Sequence, residues 1–243
     1  MTEHLAHQLR AWAEHYNNRE LFLANDPIQV PNRYRDTSLQ DLEISAFLTA
    51  YLSFGNRKQI VKTAIRLDEM MHHKPLKYVL SGKWDYDFPS NDTASFYRTI
   101  SHQAMNALFA TLYDIYDLFG NMQDAMWSVP PCSAENLPFH NLCHLFGVSD
   151  KSPQKKLNMF LRWMVRTDGI VDFGAWRNFS PADLIIPLDT HVAQMACKLG
   201  LVPSQTYTLN TAKNITRSLS EVFPGDPCLG DFALFGYGVT HND

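Results

Sequence analysis

Residues 155–166 read Lys155-Lys156-Leu157-Asn158-Met159-Phe160-Leu161-Arg162-Trp163-Met164-Val165-Arg166. The apolar positions share one arc at the 3.6-residue period of an α-helix: Leu157, Phe160, Leu161, Met164 and Val165. The opposite arc is polar and mainly basic: Lys155, Asn158, Arg162 and Arg166. This pattern predicts an amphipathic helix, and its ordinary interpretation is a core-facing helix with a solvated basic face.

The same helical period recurs through most of the chain. A stripe from Ile44 to Leu52 predicts a helix that starts after Ser38 or Asp41 and ends near 53–56. Further helices are predicted at 57–71, about 93–119 and 122–127. Residues 81–91 predict a loop and the proline-rich stretch 129–138 predicts a connection. Two-residue alternation is hard to find, so the fold is predicted to be all-α.

Composition limits the possible classes of protein. A chain of 243 residues can bury a sizeable core in one domain or in two small ones. The formal net charge is −4, so a surface for nucleic acid must be a local basic patch. The cysteines show no Cys-x-x-Cys spacing, the first residues do not read as a signal peptide, and no apolar run is long enough to span a bilayer. A cytoplasmic protein with reduced thiols and no membrane partner is expected.

A carboxylate and two amines stand at predicted helix starts. Asp189 lies directly before Thr190 in the run 187–201, which is typical of a helix N-cap. From the residues alone the cap-only interpretation is favoured, although a cap fixed by backbone amides is also well positioned for chemistry. Lys155 and Lys156 open the other helix, where positive charge is slightly unfavourable. An amine and a carboxylate are the groups needed to attack a sugar carbon and to stabilise its developing charge.

Three short motifs resemble one family. Leu145-Phe146-Gly147-Val148 followed by Lys155-Lys156-Leu157-Asn158 resembles the helix-hairpin-helix and lysine of the DNA glycosylase superfamily that includes endonuclease III. Ile186-Pro187-Leu188-Asp189-Thr190-His191-Val192 is similar to its Val-Asp-Thr-His motif, with a lysine-to-aspartate gap closer to the archaeal 8-oxoguanine glycosylases. Asp231-Phe232-Ala233-Leu234-Phe235 is similar to a base-contacting helix of oxoguanine glycosylases. Most of the chain also resembles an uncharacterised bacterial family described only as a domain of unknown function.

The glycosylase resemblance implies a two-lobed helical fold. Residues 40–166 would form a central bundle that carries a degenerate helix-hairpin-helix and the lysine. Residues 1–39 and 167–243 would form the second lobe, with Asp189 at the cleft between the lobes.

The resemblance also implies roles for particular residues. Lys155 would be the nucleophile, with Lys156 in that role if the insertion before the lysine ends one residue later. Asp189 would stabilise the positive charge on the deoxyribose ring. Asp231 and Phe235 would bind the extruded base, with Trp163 or Trp176 as alternative stacking partners. The candidates for contacts with the DNA backbone are Gly147, Val148, Lys151, Ser152, Arg162 and His191.

Some family features are absent from the sequence. Ser149 stands where the second hairpin glycine is expected, and about four extra residues (151–154) precede the lysine. Only Cys197 and Cys228 follow Asp189, so no iron–sulfur cluster is expected. The group Cys132, His140, Cys143 and His144 fits no standard zinc spacing, so neither a metal nor another cofactor is expected.

The expected function is removal of an oxidised purine such as 8-oxoguanine from damaged double-stranded DNA by a monomeric glycosylase. A Schiff base on the lysine would permit β-lyase activity as well. Two other interpretations remain open. One is a non-catalytic module that binds nucleic acid on a glycosylase-like scaffold, and the other is a helical bundle for protein interaction.

Overall fold

A computed structural model describes residues 1–129 and 135–241, whose regular secondary structure is helical apart from one small hairpin. The first helices are α1 (Glu3–Tyr16), α2 (Arg19–Asn25), α3 (Leu39–Leu52), α4 (Arg57–Met70), α5 (Pro75–Ser81) and α6 (Trp84–Asp87). The hairpin strands are β1 (Ser95–Tyr97) and β2 (Ile100–Ser101), paired antiparallel. The remaining helices are α7 (His102–Phe119), α8 (Met122–Ser128), α9 (Leu137–Leu145), α10 (Lys155–Val165), α11 (Thr190–Lys198), α12 (Leu209–Ser220) and α13 (Leu229–His241). The all-α prediction is confirmed.

The chain folds as two compact units. The terminal unit comprises residues 1–22 and 129–243, and the central unit comprises residues 23–128. The central unit ends at Ser128, whereas the glycosylase resemblance implied that it would end at Arg166. The reason is that α10 bonds to the C-terminal part of the chain, for example through Arg166 to Asp226. Lys155 and Asp189 consequently lie in one unit and not in two different ones.

In the central unit, α3 is the core helix. Ser38 caps it by accepting a hydrogen bond from the Asp41 amide, as one of the two predicted caps. Glu43 is fully buried in this helix, and its carboxylate accepts bonds from the Tyr116 hydroxyl at 2.9 Å and the Met122 amide at 3.0 Å. A buried carboxylate requires such partners, so Glu43 fixes α3 against the start of α8.

Two local predictions in the central unit were wrong. The helix predicted from about Thr93 begins at His102, because residues 95–101 form the hairpin and the Ser101 hydroxyl caps the helix at the Ala104 amide. The loop predicted at 81–91 contains the short helix α6. Trp84 donates its indole hydrogen bond to the Val79 carbonyl, which holds that turn against α5.

In the terminal unit, α13 is the central element and packs against both α1 and α11. Trp12 and Tyr237 stack with ring centroids 3.9 Å apart. Gly236 lets the two helices approach, since a Cβ at this position would lie 2.4 Å from Cγ of Tyr16. Helix α13 therefore holds its side chains on a rigid support. Within the described ranges, no helix combines the length and apolarity that crossing a membrane requires.

Candidate functional site

The terminal unit brings the first lysine of α10 to the carboxylate that starts α11. Lys155 Nζ lies 3.7 Å from Asp189 Oδ2, and the two side chains are 35% and 17% exposed. The other oxygen, Asp189 Oδ1, accepts a hydrogen bond of 3.0 Å from the Val192 amide and so caps α11. One carboxylate thus has two roles, because the cap fixes the group whose second oxygen faces the amine. Both side chains are thus partly exposed to solvent.

Lys156 has a different environment from its neighbour. It is half-buried, and burial followed by the charge of Lys155 lowers its pKa. The sequence alone left two candidate amines, Lys155 and Lys156. In the structure it is Lys155 that lies beside Asp189.

Helix α13 contributes a buried carboxyl and a half-buried ring. Asp231 is 4% exposed and forms an ion pair with Arg162, while its Oδ1 has no hydrogen-bond partner among the described residues. Burial raises the pKa of Asp231 to about 6; Arg162 opposes this rise and the charge of Asp189 adds to it. Phe235 is one helical turn further on, edge-on to His191 with centroids 6.1 Å apart. A hydrogen-bond acceptor and a ring thus share one face of α13.

The basic face predicted for α10 is largely buried. Arg162 is 4% exposed, bonds to Asp172 Oδ1 at 3.3 Å and pairs with Asp231. Arg166 is fully buried and pairs with three carboxylates: Asp168 at 2.7 Å, Asp172 at 2.5 Å and Asp226 at 2.9 Å. The Arg162 guanidinium is therefore committed to buried carboxylates in this structure, and its predicted contact with a DNA phosphate stays a prediction. Asp172, which joins both arginines, was not predicted and carries no motif that would identify it.

The hairpin turn does not offer the predicted backbone donors. Gly147 adopts φ +61° and ends α9, with its amide bonded to the His144 carbonyl at 3.0 Å. The Val148 amide bonds to the Cys143 carbonyl at 2.9 Å, which completes a Schellman cap. Both amides are thus used inside the protein in this structure, and the predicted phosphate contacts of Gly147 and Val148 stay a prediction. The signal was present in the sequence, since a glycine one or two residues after a helix usually ends it.

The other candidates divide between surface and core. Lys151 and Ser152 are exposed on the turn before α10, and His191 is half-buried at the start of α11. Trp163 and Trp176 are fully buried, and Trp176 lies edge-on to Phe160 at 5.2 Å. Neither indole is exposed in this conformation, so their stacking roles stay predictions. The Trp163 Nε1 hydrogen has no acceptor among the described residues.

Metal ligands were also considered. Among the described residues, no group of three or more His, Cys, Asp or Glu side chains has a geometry that could hold a metal ion. Cys132, part of the sequence group considered for zinc, lies outside the described residues. His140 pairs with Asp150 at 2.9 Å, which lowers the pKa of that exposed carboxyl.

The fold and the site define a helical protein with an accessible amine–carboxylate pair supported by a buried ion network. The chain belongs to the family described as "Protein of unknown function (DUF2400)", which it matches over residues 26–240. No curated protein and no solved structure matches the chain significantly.

Proposed function

We propose that the protein is a DNA glycosylase with associated lyase activity, a cytoplasmic monomer with a glycosylase-like fold that removes an oxidised purine such as 8-oxoguanine. The observation that carries the proposal is the 3.7 Å approach of Lys155 Nζ to Asp189 Oδ2 at a partly exposed position. The two groups are 34 residues apart in sequence, and each is fixed at a helix start.

The chemistry assigns one role to each group. The unprotonated Lys155 amine attacks the anomeric carbon of the damaged nucleotide, and the bond from that carbon to the base breaks. The base leaves with the bonding electron pair and takes up a proton. The Asp189 carboxylate stabilises the positive charge that develops on the sugar ring.

A Schiff base between Lys155 and the opened sugar follows from this attack. Loss of a proton from the adjacent sugar carbon then expels the 3′ phosphate, which cuts the strand, and water releases the lysine. No redox cofactor is required, because no step changes an oxidation state.

Recognition of the base is assigned to α13. Asp231 Oδ1 is a buried acceptor without a partner among the described residues, and a purine N–H group would supply the missing donor. Phe235 is half-buried on the same face, where a ring can stack on a flipped base. Arg162 supports this arrangement from inside the fold by pairing with Asp231.

Borohydride trapping tests the proposal. The protein is incubated with a labelled duplex that carries 8-oxoguanine, and reduction of the Schiff base gives a covalent complex visible by denaturing electrophoresis. We expect trapping with the wild type and with Lys156→Ala, and no trapping with Lys155→Ala. A duplex with an intact oxidised base is a more stringent substrate than one with an abasic site. Any exposed amine reacts, although slowly, with the aldehyde of an abasic site.

Three outcomes would contradict the proposal. Absence of a complex across a panel of oxidised and alkylated bases would remove the lyase chemistry. Trapping that survives Lys155→Ala and is lost in Lys156→Ala would move the nucleophile to the half-buried lysine. Salt-dependent binding of the duplex without any product would select the non-catalytic binding module instead.

A further inference from the structure

The central unit contains an unusual concentration of positive charge. Residues 57–83 contain seven of the 21 Lys and Arg residues of the chain, and only two carboxylates, Asp68 and Glu69. The chain as a whole has a net charge of −4, so this segment differs in sign from the rest of the molecule. A local patch of this kind attracts anions even when the whole protein does not.

Three of these cations form one stripe along α4. Lys58, Lys62 and Arg66 follow each other at four-residue intervals, and all three are exposed. The inner face of the same helix is apolar and buried, at Ile60, Ala64 and Leu67. Four-residue spacing places successive cations about 6 Å apart along the helix axis.

Asp68, one of the two acidic residues of the segment, does not neutralise this stripe. Asp68 is fully buried and accepts bonds from Arg33 at 3.0 Å, His73 at 2.8 Å and the Tyr34 hydroxyl. The charge of Asp68 is therefore balanced by these partners inside the fold. Within the described part of the chain, neither Lys58 nor Lys62 forms an ion pair.

A groove runs beside the stripe within the central unit. Its volume is about 590 Å³, and its walls combine the three cations with the apolar side chains of Val61 and Ile65. Asn25 and Gln29 supply further polar groups, and Glu69 is its single carboxylate. The Arg66 guanidinium lies 4.8 Å from the centre of the Phe96 ring, which holds this cation in place.

We propose that this groove binds the sugar–phosphate backbone of a nucleic acid strand. Cations about one helical turn apart match the regular repeat of phosphates along an extended strand, and the apolar floor suits sugars and base faces. A compact anion would engage one or two of the cations, whereas a strand engages the whole stripe. The groove is distinct from the Lys155–Asp189 pair, which lies in the terminal unit, and its binding does not depend on any reaction there.

The test measures binding of a fluorescent single-stranded 20-mer without a lesion, by anisotropy over a range of salt concentrations. The first variant combines Lys58→Gln, Lys62→Gln and Arg66→Gln, which removes the stripe and keeps good helix formers. The matched control combines Arg10→Gln, Lys198→Gln and Arg217→Gln, three exposed cations of the terminal unit with the same change in net charge. Circular dichroism and the urea midpoint verify that both variants are folded.

The stripe variant is expected to bind at least tenfold more weakly than the wild type near 50 mM salt. The slope of log affinity against log salt should fall by about 2, because each lost phosphate contact on a single strand contributes about 0.7. The control should retain both affinity and slope. Equal losses in the two variants would overturn the proposal in favour of a general charge effect. Displacement of the oligonucleotide by poly-glutamate at equal charge concentration would overturn the choice of a nucleic acid strand. Both results are independent of borohydride trapping, so failure of one proposal is distinguishable from failure of the other.

Discussion

Helices α10 and α4 carry similar basic patterns in sequence, but their cations have opposite fates in the structure. Arg162 of α10 and Arg166, the residue directly after it, are buried against carboxylates of the terminal unit. Lys58 and Lys62 of α4 are exposed and unpaired within the described residues. Periodicity defines which residues share a face, and the distant carboxylates decide whether that face is part of the core.

This difference distinguishes cations that support the fold from cations that can contact a ligand. Arg162 and Arg166 position Asp231 and Asp172 beneath the candidate site, and removal of either arginine would disturb the fold. The α4 cations lie on the exposed face of a helix whose other face is apolar and buried. Their removal would therefore alter binding and leave folding unchanged.

The largest expected effect is the loss of Arg166. Arg166→Met would leave Asp172 and its neighbouring carboxylates without one of their cations, and we expect a loss of about 3–5 kcal/mol in the free energy of unfolding. Lys62→Met, the matched change on α4, should cost less than about 0.5 kcal/mol. Urea unfolding of both variants gives the comparison. Similar losses in the two variants would mean that the buried network does not stabilise the unit, and Asp172→Asn should partly rescue Arg166→Met.

A second effect depends on pH and concerns Asp231. Its folded-state pKa of about 6 lies above the ordinary aspartate value of about 3.9, because burial disfavours the charged form. The stability contributed by the neutral carboxyl is therefore complete below about pH 4 and is lost as pH rises through about 6. The difference in unfolding free energy between the wild type and Asp231→Asn should fall across this window and level off above it. A difference that stays constant from pH 4 to 7 would show that Asp231 titrates normally.

The sequence predicted those features that local rules determine. Helix α4 was predicted at 57–71 and is found at Arg57–Met70, and the cap at Asp189 was predicted from its place before Thr190. Both depend on residues within one or two helical turns, where period and capping chemistry are sufficient. The approach of Lys155 to Asp189 required the resemblance as well, since spacing alone favoured a simple cap.

Features that depend on distant partners were not predictable in this way. The partners of Arg162 are 10 and 69 residues away, so its helix face was interpreted as solvated or DNA-binding. The turn after α9 shows the converse case, because Gly147 had a local signal for ending a helix and was assigned to phosphate binding by resemblance. Tertiary ion pairs and the chain reversal after α9 are thus the features that local sequence patterns did not reveal.

A third prediction separates the two roles of Asp189. Asp189→Ala removes the cap at the Val192 amide and should cost about 1 kcal/mol in unfolding free energy. Asp189→Asn keeps the cap, because asparagine is as good at this position, but removes the charge that faces Lys155. We expect stability within a few tenths of a kcal/mol of the wild type for Asn, together with loss of borohydride trapping on an 8-oxoguanine duplex. Full activity in Asp189→Asn would show that the negative charge is not required.

The smallest expected change in stability comes from one cation of the α4 stripe. Lys62→Ala should alter the unfolding free energy by less than about 0.5 kcal/mol, because the lysine is exposed and has no ion pair within the described residues. The same change should lower the salt slope of single-strand binding by about 0.7, the contribution of one phosphate contact. Lys198→Ala, an equal change in net charge on the terminal unit, should leave the slope unaltered. Lys62 would then affect binding but not folding, the opposite of what is expected for Arg166. A salt slope unaltered by Lys62→Ala would mean that Lys62 does not contact the bound strand.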